Sequence, residues 1–390
     1  MKINNRLYQV QPPPITEVKS WLGGQHSISK ESPLLDLCQA VPNYPPAPEL
    51  IAHLHQALDD PATYRYSPDE GLPEVRTVLC NWYQRHYLSG PQPDQICLTI
   101  GASQAFWLAM LCLCQPGDEV IVPLPAYFDH LMALQSYGAT PTYVPFIPAT
   151  DGLPNLAAIE QKITAKTRAL LLVSPSNPTG AIIPSRQLEQ LFDLAQAHSI
   201  VLIIDETYNS FISNFSTAPP HQLFARRNWQ QHFVHIASFG KTFALTGLRC
   251  GALIGAAELI EQGLKIQDSM AVCQPRPAQL ALQYGCSHLD DWIAEKNQQM
   301  QQRHAAVSAC FAAGIKGFEL TASGSFFAWV KHPWGGMSGR QAARKLLDQA
   351  GIISLAGESF GPGLEPYVRL AFGNIETEQM GELKQRLETL

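Results

Sequence analysis

Ala169-Leu-Leu-Leu-Val173 runs without a break into Ser174-Pro-Ser-Asn-Pro-Thr-Gly180, and Ile200-Val-Leu-Ile-Ile204 runs into Asp205-Glu-Thr-Tyr208. In both places a short, wholly apolar run ends in a polar turn. An uninterrupted apolar pentad suits a strand covered on both faces, which is the environment of a parallel sheet. The predicted helix Ser185–His198 lies between the two runs. Together they read as strand, crossover helix and parallel strand.

Working outward, the same alternation continues. Ile96–Ile100 reads as a strand that leads through Gly101 into a helix starting near Ser103. Glu119–Val122 is a second strand, followed by a helix over Asp129–Tyr137. Val234–Ala237 and Gly251–Ile254 supply two more strands. The fold class implied is α/β, a mostly parallel sheet with helices on both faces. Ligands of such sheets collect at the carboxyl ends of the strands. Residues 1–48, with Pro12-Pro-Pro14 and the prolines of Pro42–Pro48, read as an arm joining a smaller domain. Residues 49–277 read as the large domain. Residues 278–390, with long polar helices (Asp290–Ala312) and strand-like pieces (Ser325–Val330, Tyr367–Ala371), read as a small α+β domain.

The bulk composition narrows the function. The chain has 390 residues, 46% hydrophobic and 15% charged, with a net charge of −6. Neither sign gathers into a block, so nucleic acid and lipid surfaces are not expected partners. The longest apolar stretch, Ala105–Cys114, is too short to span a bilayer and reads as a buried helix. Nine scattered cysteines lack a zinc pattern; no metal is expected, and a reduced cytoplasmic protein is. The first ten residues have no apolar core of the kind a signal peptide carries.

Four segments stand at predicted strand ends and carry the chemistry. They are Thr99-Ile-Gly-Ala-Ser-Gln104, Ser174–Gly180, Asp205–Tyr208, and Ser238-Phe-Gly-Lys241 continuing to Gly247-Leu-Arg249. A helix N-terminus at Ala102, Ser103 and Gln104 offers unpaired N–H groups to a phosphate. Ser238 and Arg249 add a hydroxyl and a guanidinium fork. Asp205 suits a protonated pyridine nitrogen, and Asn177 and Tyr208 suit a phenolate oxygen. A lysine among these groups, Lys241, can form an imine and shuttle protons, for which its ordinary pKa of about 10.4 must fall. Each residue also has a plain reading. A lone lysine is usually a surface charge, Asp205 could cap a helix, Asn177-Pro-Thr-Gly180 could be only a turn, and Tyr127 could be only core. The histidines, His130 and His198 among them, show no metal spacing and read as structural or exposed.

Taken in order, the four segments resemble the signature of the class I/II aminotransferases of pyridoxal-phosphate fold type I. The resemblance implies pyridoxal 5'-phosphate as cofactor, with Lys241 as the Schiff-base lysine and proton shuttle. It implies Asp205 on the pyridine nitrogen, Asn177 and Tyr208 on the phenolate oxygen, and Ala102, Ser103, Gln104, Ser238 and Arg249 on the phosphate. Tyr127 falls where the family stacks an aromatic on the ring. Tyr66 matches a tyrosine sent to the neighbouring subunit's phosphate, which implies a homodimer with sites at the interface. Arg369 matches the arginine that forks onto the substrate carboxylate. The implied reaction moves an amino group from an L-amino acid to a 2-oxo acid; a C–S or β-eliminating lyase on the same fold is the alternative. Two positions depart from the pattern. Ala40 stands where relatives often carry glycine near that carboxylate, and Ser103 stands where some acid-specific relatives carry a basic residue. The second departure speaks against a dicarboxylic donor and leaves neutral and aromatic donors open.

Overall fold

Seven strands of five to seven residues, most of them apolar, pair into one sheet in the computed structural model, which describes residues 1–22, 33–213, 215 and 217–390. Residues 23–32 of the expected arm, with positions 214 and 216, lie outside the described residues. The strands, numbered along the chain, are β1 (Leu35–Asp36), β2 (Ile96–Ile100), β3 (Glu119–Pro123), β4 (Thr140–Val144), β5 (Thr167–Val173), β6 (Val201–Asp205), β7 (Phe233–Ser238) and β8 (Cys250–Ile254), then β9 (Glu319–Gly324), β10 (Phe327–Lys331), β11 (Ile352–Ile353), β12 (Leu355–Ala356) and β13 (Tyr367–Ala371). The large sheet has the order β2-β8-β7-β6-β5-β3-β4. β8 runs antiparallel to both its neighbours, and the remaining pairings are parallel.

The apolar pentads explain the two-sided burial. Leu170, Leu172, Leu202 and Ile204 point into one core, against Leu188, Leu191 and Phe192 of helix Ser185–Ala197 and Leu79 and Trp82 of helix Pro73–Tyr87. Their alternates Ala169, Leu171 and Ile203 point into the other core, with Phe106 and Met110 of helix Gly101–Leu113 and Leu131 and Leu134 of helix Phe128–Tyr137. Each buried leucine or phenylalanine contributes about 1.5–3 kcal/mol from the hydrophobic effect. The sheet is therefore clamped from both sides, and its strand ends are held rigidly.

A second, four-stranded antiparallel sheet has the order β12-β13-β10-β9. Helices Asp290–Ala312, Gly339–Ala350 and Gln379–Glu388 bury Met300, Leu346 and Leu383 in a third core that shares Phe327 and Leu370 of this sheet. β1 pairs in parallel with β11, and Ala371 donates its N–H to the Leu37 carbonyl at 2.8 Å, so residues 35–37 are tied to this C-terminal region. The strand expected at Ser325–Val330 begins at Phe327. Ser325 sits in the turn between β9 and β10 with φ 51°, a left-handed conformation that ends pairing. Ala105–Cys114 is largely helix, as expected. Among the described residues, no helix is long and apolar enough to cross a membrane.

Candidate active site

The carboxyl ends of β5, β6 and β7 open into a cavity of about 310 Å³, at the small end of the range for small-molecule sites. Its lining includes Ala102, Ser103, Tyr127, Asn177, Asp205, Tyr208, Ser238, Lys241 and Arg249, which five separate stretches of sequence supply. Arg369 joins them from β13: its Nη1 donates to Asn177 Oδ1 at 3.0 Å, and its Nη2 donates to the Cys38 carbonyl. Gln104, Tyr66 and Ala40 do not line this cavity. The Gln104 side chain turns back to accept from the Ile100 N–H at 2.6 Å. Tyr66 is 78% exposed, and Ala40 packs beside the third core.

The lysine sits where its amine is least comfortable as a cation. Burial, helped by the Arg249 charge, lowers its pKa from 10.5 to about 8, against the pull of Asp205 and Asp129. Asp205 is also buried, which by itself would favour the neutral acid. His130 Nε2 lies 3.1 Å from Asp205 Oδ2, and Thr207 donates its N–H to Oδ1 at 2.9 Å. These contacts outweigh burial and hold the carboxyl below the ordinary range, so it is ionised. This is the principal correction to the reading of the histidines. His130 is 3% exposed, lines the cavity and is the direct partner of Asp205. Asp129 was also missed. It lines the cavity and accepts from the Tyr127 hydroxyl at 2.7 Å, which fixes that ring.

The end of the cavity beside Gly101 and Arg249 is shaped by backbone. Gly101 opens the helix with φ 73°, and a Cβ there would stand 2.6 Å from Arg249 Nη2. A Cβ on Gly251 would stand 2.4 Å from the Gly101 carbonyl carbon, so two backbones meet where only glycine fits. Arg249 is itself left-handed at φ 61°, and its Nη1 donates to the Thr246 carbonyl at 3.0 Å. Sites commonly store strain of this kind, at about 1–3 kcal/mol per residue. At the opposite end Arg369 is buried, with its guanidinium 5.6 Å from the Phe327 ring centroid and 5.5 Å from that of Phe360. Its Nε has no partner among the described residues, a costly state for a buried donor and one that an incoming carboxylate would relieve. Tyr208 is raised above the phenol range, mainly by burial, so it is a hydroxyl donor rather than a phenolate. A phosphorylated pyridine aldehyde fits this set: glycine backbone and cation at one end, ionised carboxylate beneath, amine of depressed pKa beside it.

Comparison with known proteins gives the family. The family model "Aminotransferase class I and II" matches residues 32–387. An aspartate aminotransferase of Pyrococcus abyssi is 26% identical over 100% of this chain and 98% of its own. An aromatic-amino-acid aminotransferase of Thermococcus litoralis is 25% identical, also over 100% of this chain and 98% of its own. The solved structure of an aspartate aminotransferase from Thermus thermophilus with maleate superposes with a TM-score of 0.89 at 23% identity, covering 100% of this chain and 99% of that one. An elimination chemistry is not favoured by these relatives. With the fold, the cavity and these likenesses in agreement, the chain belongs to the class I and II aminotransferases and is a transaminase that uses pyridoxal phosphate.

Proposed function

We propose that Lys241 carries the cofactor and shuttles the proton in a transamination whose amino donor has a neutral or aromatic side chain. The observation that supports this is a lysine of depressed pKa sharing one cavity with an ionised, histidine-backed Asp205. Pyridoxal phosphate, when bound, supplies the carbonyl that accepts the amino group and the ring that withdraws electrons from the substrate Cα. Around it, Asp205 holds a proton on the pyridine nitrogen because His130 keeps the carboxylate charged. Asn177 accepts from Arg369 through Oδ1 and its side chain hydrogen-bonds Tyr208, and the two would hold the ring oxygen together. Arg369 orients the substrate carboxylate bidentately. Lys241 Nζ, as a free amine with a pKa of about 8, would accept the substrate Cα proton and donate it back in a 1,3-shift. Ala102, Ser103 and Gln104 N–H groups, Ser238 and Arg249 hold the phosphate, Tyr127 covers the ring, and Ala40 lies toward the substrate carboxylate.

The donor class rests on charge. Lys241 and Arg249 are the cavity-lining cations among the described residues, and both have roles other than holding a side-chain carboxylate. We also place the protein in the cytoplasm as a homodimer, with 1–48 as the arm, 49–277 as the cofactor domain and 278–390 as the small domain. Nine unpaired cysteines support the compartment. The exposed Tyr66 and exposed N-terminal Ile3, Leu7 and Tyr8 support a partner surface. Mixing the purified protein with single amino donors, with no oxo acid present, tests the reading. One spectral half-turnover is expected, fastest with an aromatic or neutral donor. Steady ammonia release would refute transamination, and a preference for aspartate would refute the donor class.

A further inference from the structure

Behind Asp205, on the side away from the cavity, lies a buried carboxylate that the reaction does not use. Glu206 is 2% exposed and is surrounded by side chains from three other parts of the chain. The Tyr87 hydroxyl donates to Oε2 at 2.5 Å, His221 Nε2 lies 3.3 Å from Oε1, and His235 Nδ1 lies 3.4 Å from Oε2. The two ring nitrogens approach without full hydrogen-bond alignment. Tyr83 meets His235 Nε2 at 2.8 Å, and Asn209 donates to the Tyr87 oxygen at 2.7 Å.

Two histidines and a glutamate gathered this closely raise the question of a metal ion. The hydrogen bonds answer it. Leu223 donates its N–H to His221 Nδ1 at 3.2 Å, so that nitrogen is unprotonated and Nε2 carries the ring hydrogen. A metal-ligating histidine normally shows the reverse, with the non-ligating nitrogen donating outward. His235 turns Nδ1 to the same carboxylate, and its Nε2 is taken up by the Tyr83 hydroxyl at 2.8 Å. With Tyr87 and His221 presenting hydrogens to Glu206, the cluster is read as partners around an anion. Burial opposes the Glu206 charge, but His221, His235 and Tyr87 together bring its pKa below the ordinary value.

The backbone shows what this box restrains. Glu206 donates its N–H to the Ile236 carbonyl of β7, and its own carbonyl accepts from Asn209 N–H at 3.2 Å. The short segment 205–209 is therefore fastened at Glu206 and at Asn209, with both side chains bound to Tyr87 of helix Pro73–Tyr87. Asp205 and Tyr208 project from the same segment into the cavity. We propose that Glu206, held by Tyr87, His221 and His235, is a positioning residue that fixes Asp205 and Tyr208 against the cofactor. This rests on the reading of Asp205 and Tyr208 as cofactor contacts.

Glu206→Gln removes the charge and turns an amide N–H₂ toward histidine donors. Tyr87→Phe removes one donor and leaves the carboxylate in place. Pyridoxal phosphate affinity is measured by equilibrium dialysis, visible circular dichroism is recorded at saturating cofactor, and melting of the cofactor-free protein and metal content are followed in parallel. The proposal expects cofactor affinity lower by about tenfold for Glu206→Gln and by about threefold for Tyr87→Phe, the scale of one lost buried hydrogen bond. It expects an altered dichroic band and no stoichiometric metal. If Glu206→Gln does not fold, Tyr87→Phe alone decides. Unchanged affinity and spectrum in a folded variant would overturn it, as would an affinity loss that only tracks the unfolded fraction. Stoichiometric zinc lost on substitution would also overturn it, in favour of a metal site. Wild-type protein that binds no cofactor would instead sink the proposed function, which keeps the two failures apart.

Discussion

Replacing Lys241 by methionine in the cofactor-free protein tests the electrostatics of the cavity directly. Methionine keeps most of the apolar stem and removes the charge. Lys241 falls from 10.5 to about 8 in the folded chain, chiefly through burial and secondarily through Arg249. At about 1.4 kcal/mol per pH unit, retaining the ammonium below pH 8 costs the folded state about 3 kcal/mol relative to the unfolded chain. The folded pKa is the lower one, so between about pH 8 and 10.5 the unfolded chain holds more protons on this group. Stability attributable to Lys241 therefore rises with pH across that window. At pH 7 the cofactor-free Lys241→Met protein should exceed wild type by up to about 3 kcal/mol, and at pH 10 the gap should shrink below about 1 kcal/mol. Urea unfolding at pH 7, 8.5 and 10, compared at equal slope, measures it. A gap that does not change with pH, or a wild type more stable than the variant at pH 7, would refute the reasoning.

Three further expectations follow from named contacts. Arg369→Lys replaces a planar fork by a point charge, and the KM for amino donors should rise by about tenfold or more in steady-state assays, with less effect on kcat. His130→Ala strips Asp205 of its imidazole partner, so the acid limb of kcat/KM should move to higher pH; the Asp205 charge is held below its ordinary range, so its stabilising contribution is present at neutral pH and lost as pH falls. Gly101→Ala forces a Cβ into Arg249 at a positive φ, and should lower stability by about 1–2 kcal/mol while weakening phosphate binding, read by thermal melting and cofactor titration.

The sheet was legible because its central strands are continuous apolar runs, and continuity is a local property. The edge strand β4 was not read: Thr140-Pro-Thr-Tyr-Val144 is half-exposed and carries a proline, which suits only an edge. The gathering of Asn177, Asp205, Tyr208, Ser238 and Lys241 around one cavity was legible because each follows an apolar run, and the strand ends of such a sheet converge. His130 was not. A single histidine has no spacing signature, and its meaning depends on helix Phe128–Tyr137 laying its first turn across the end of β6. The one available hint was its position three residues after Tyr127, on the same first turn. The Glu206 box was further out of reach, because Tyr87, His221 and His235 come from segments that only tertiary packing brings together. Gln104 was read as a phosphate contact through its backbone N–H at a helix N-terminus, and what sequence could not show is that its side chain folds back to accept from the Ile100 N–H.

Borohydride reduction of the pyridoxal-phosphate-loaded protein, followed by peptide mass mapping, bears most directly on the central claim. The account predicts one reduced phosphopyridoxyl group per chain, on the peptide that contains Lys241, and none after Lys241→Met. A label of the same stoichiometry on another lysine, or retained in that variant, would contradict it.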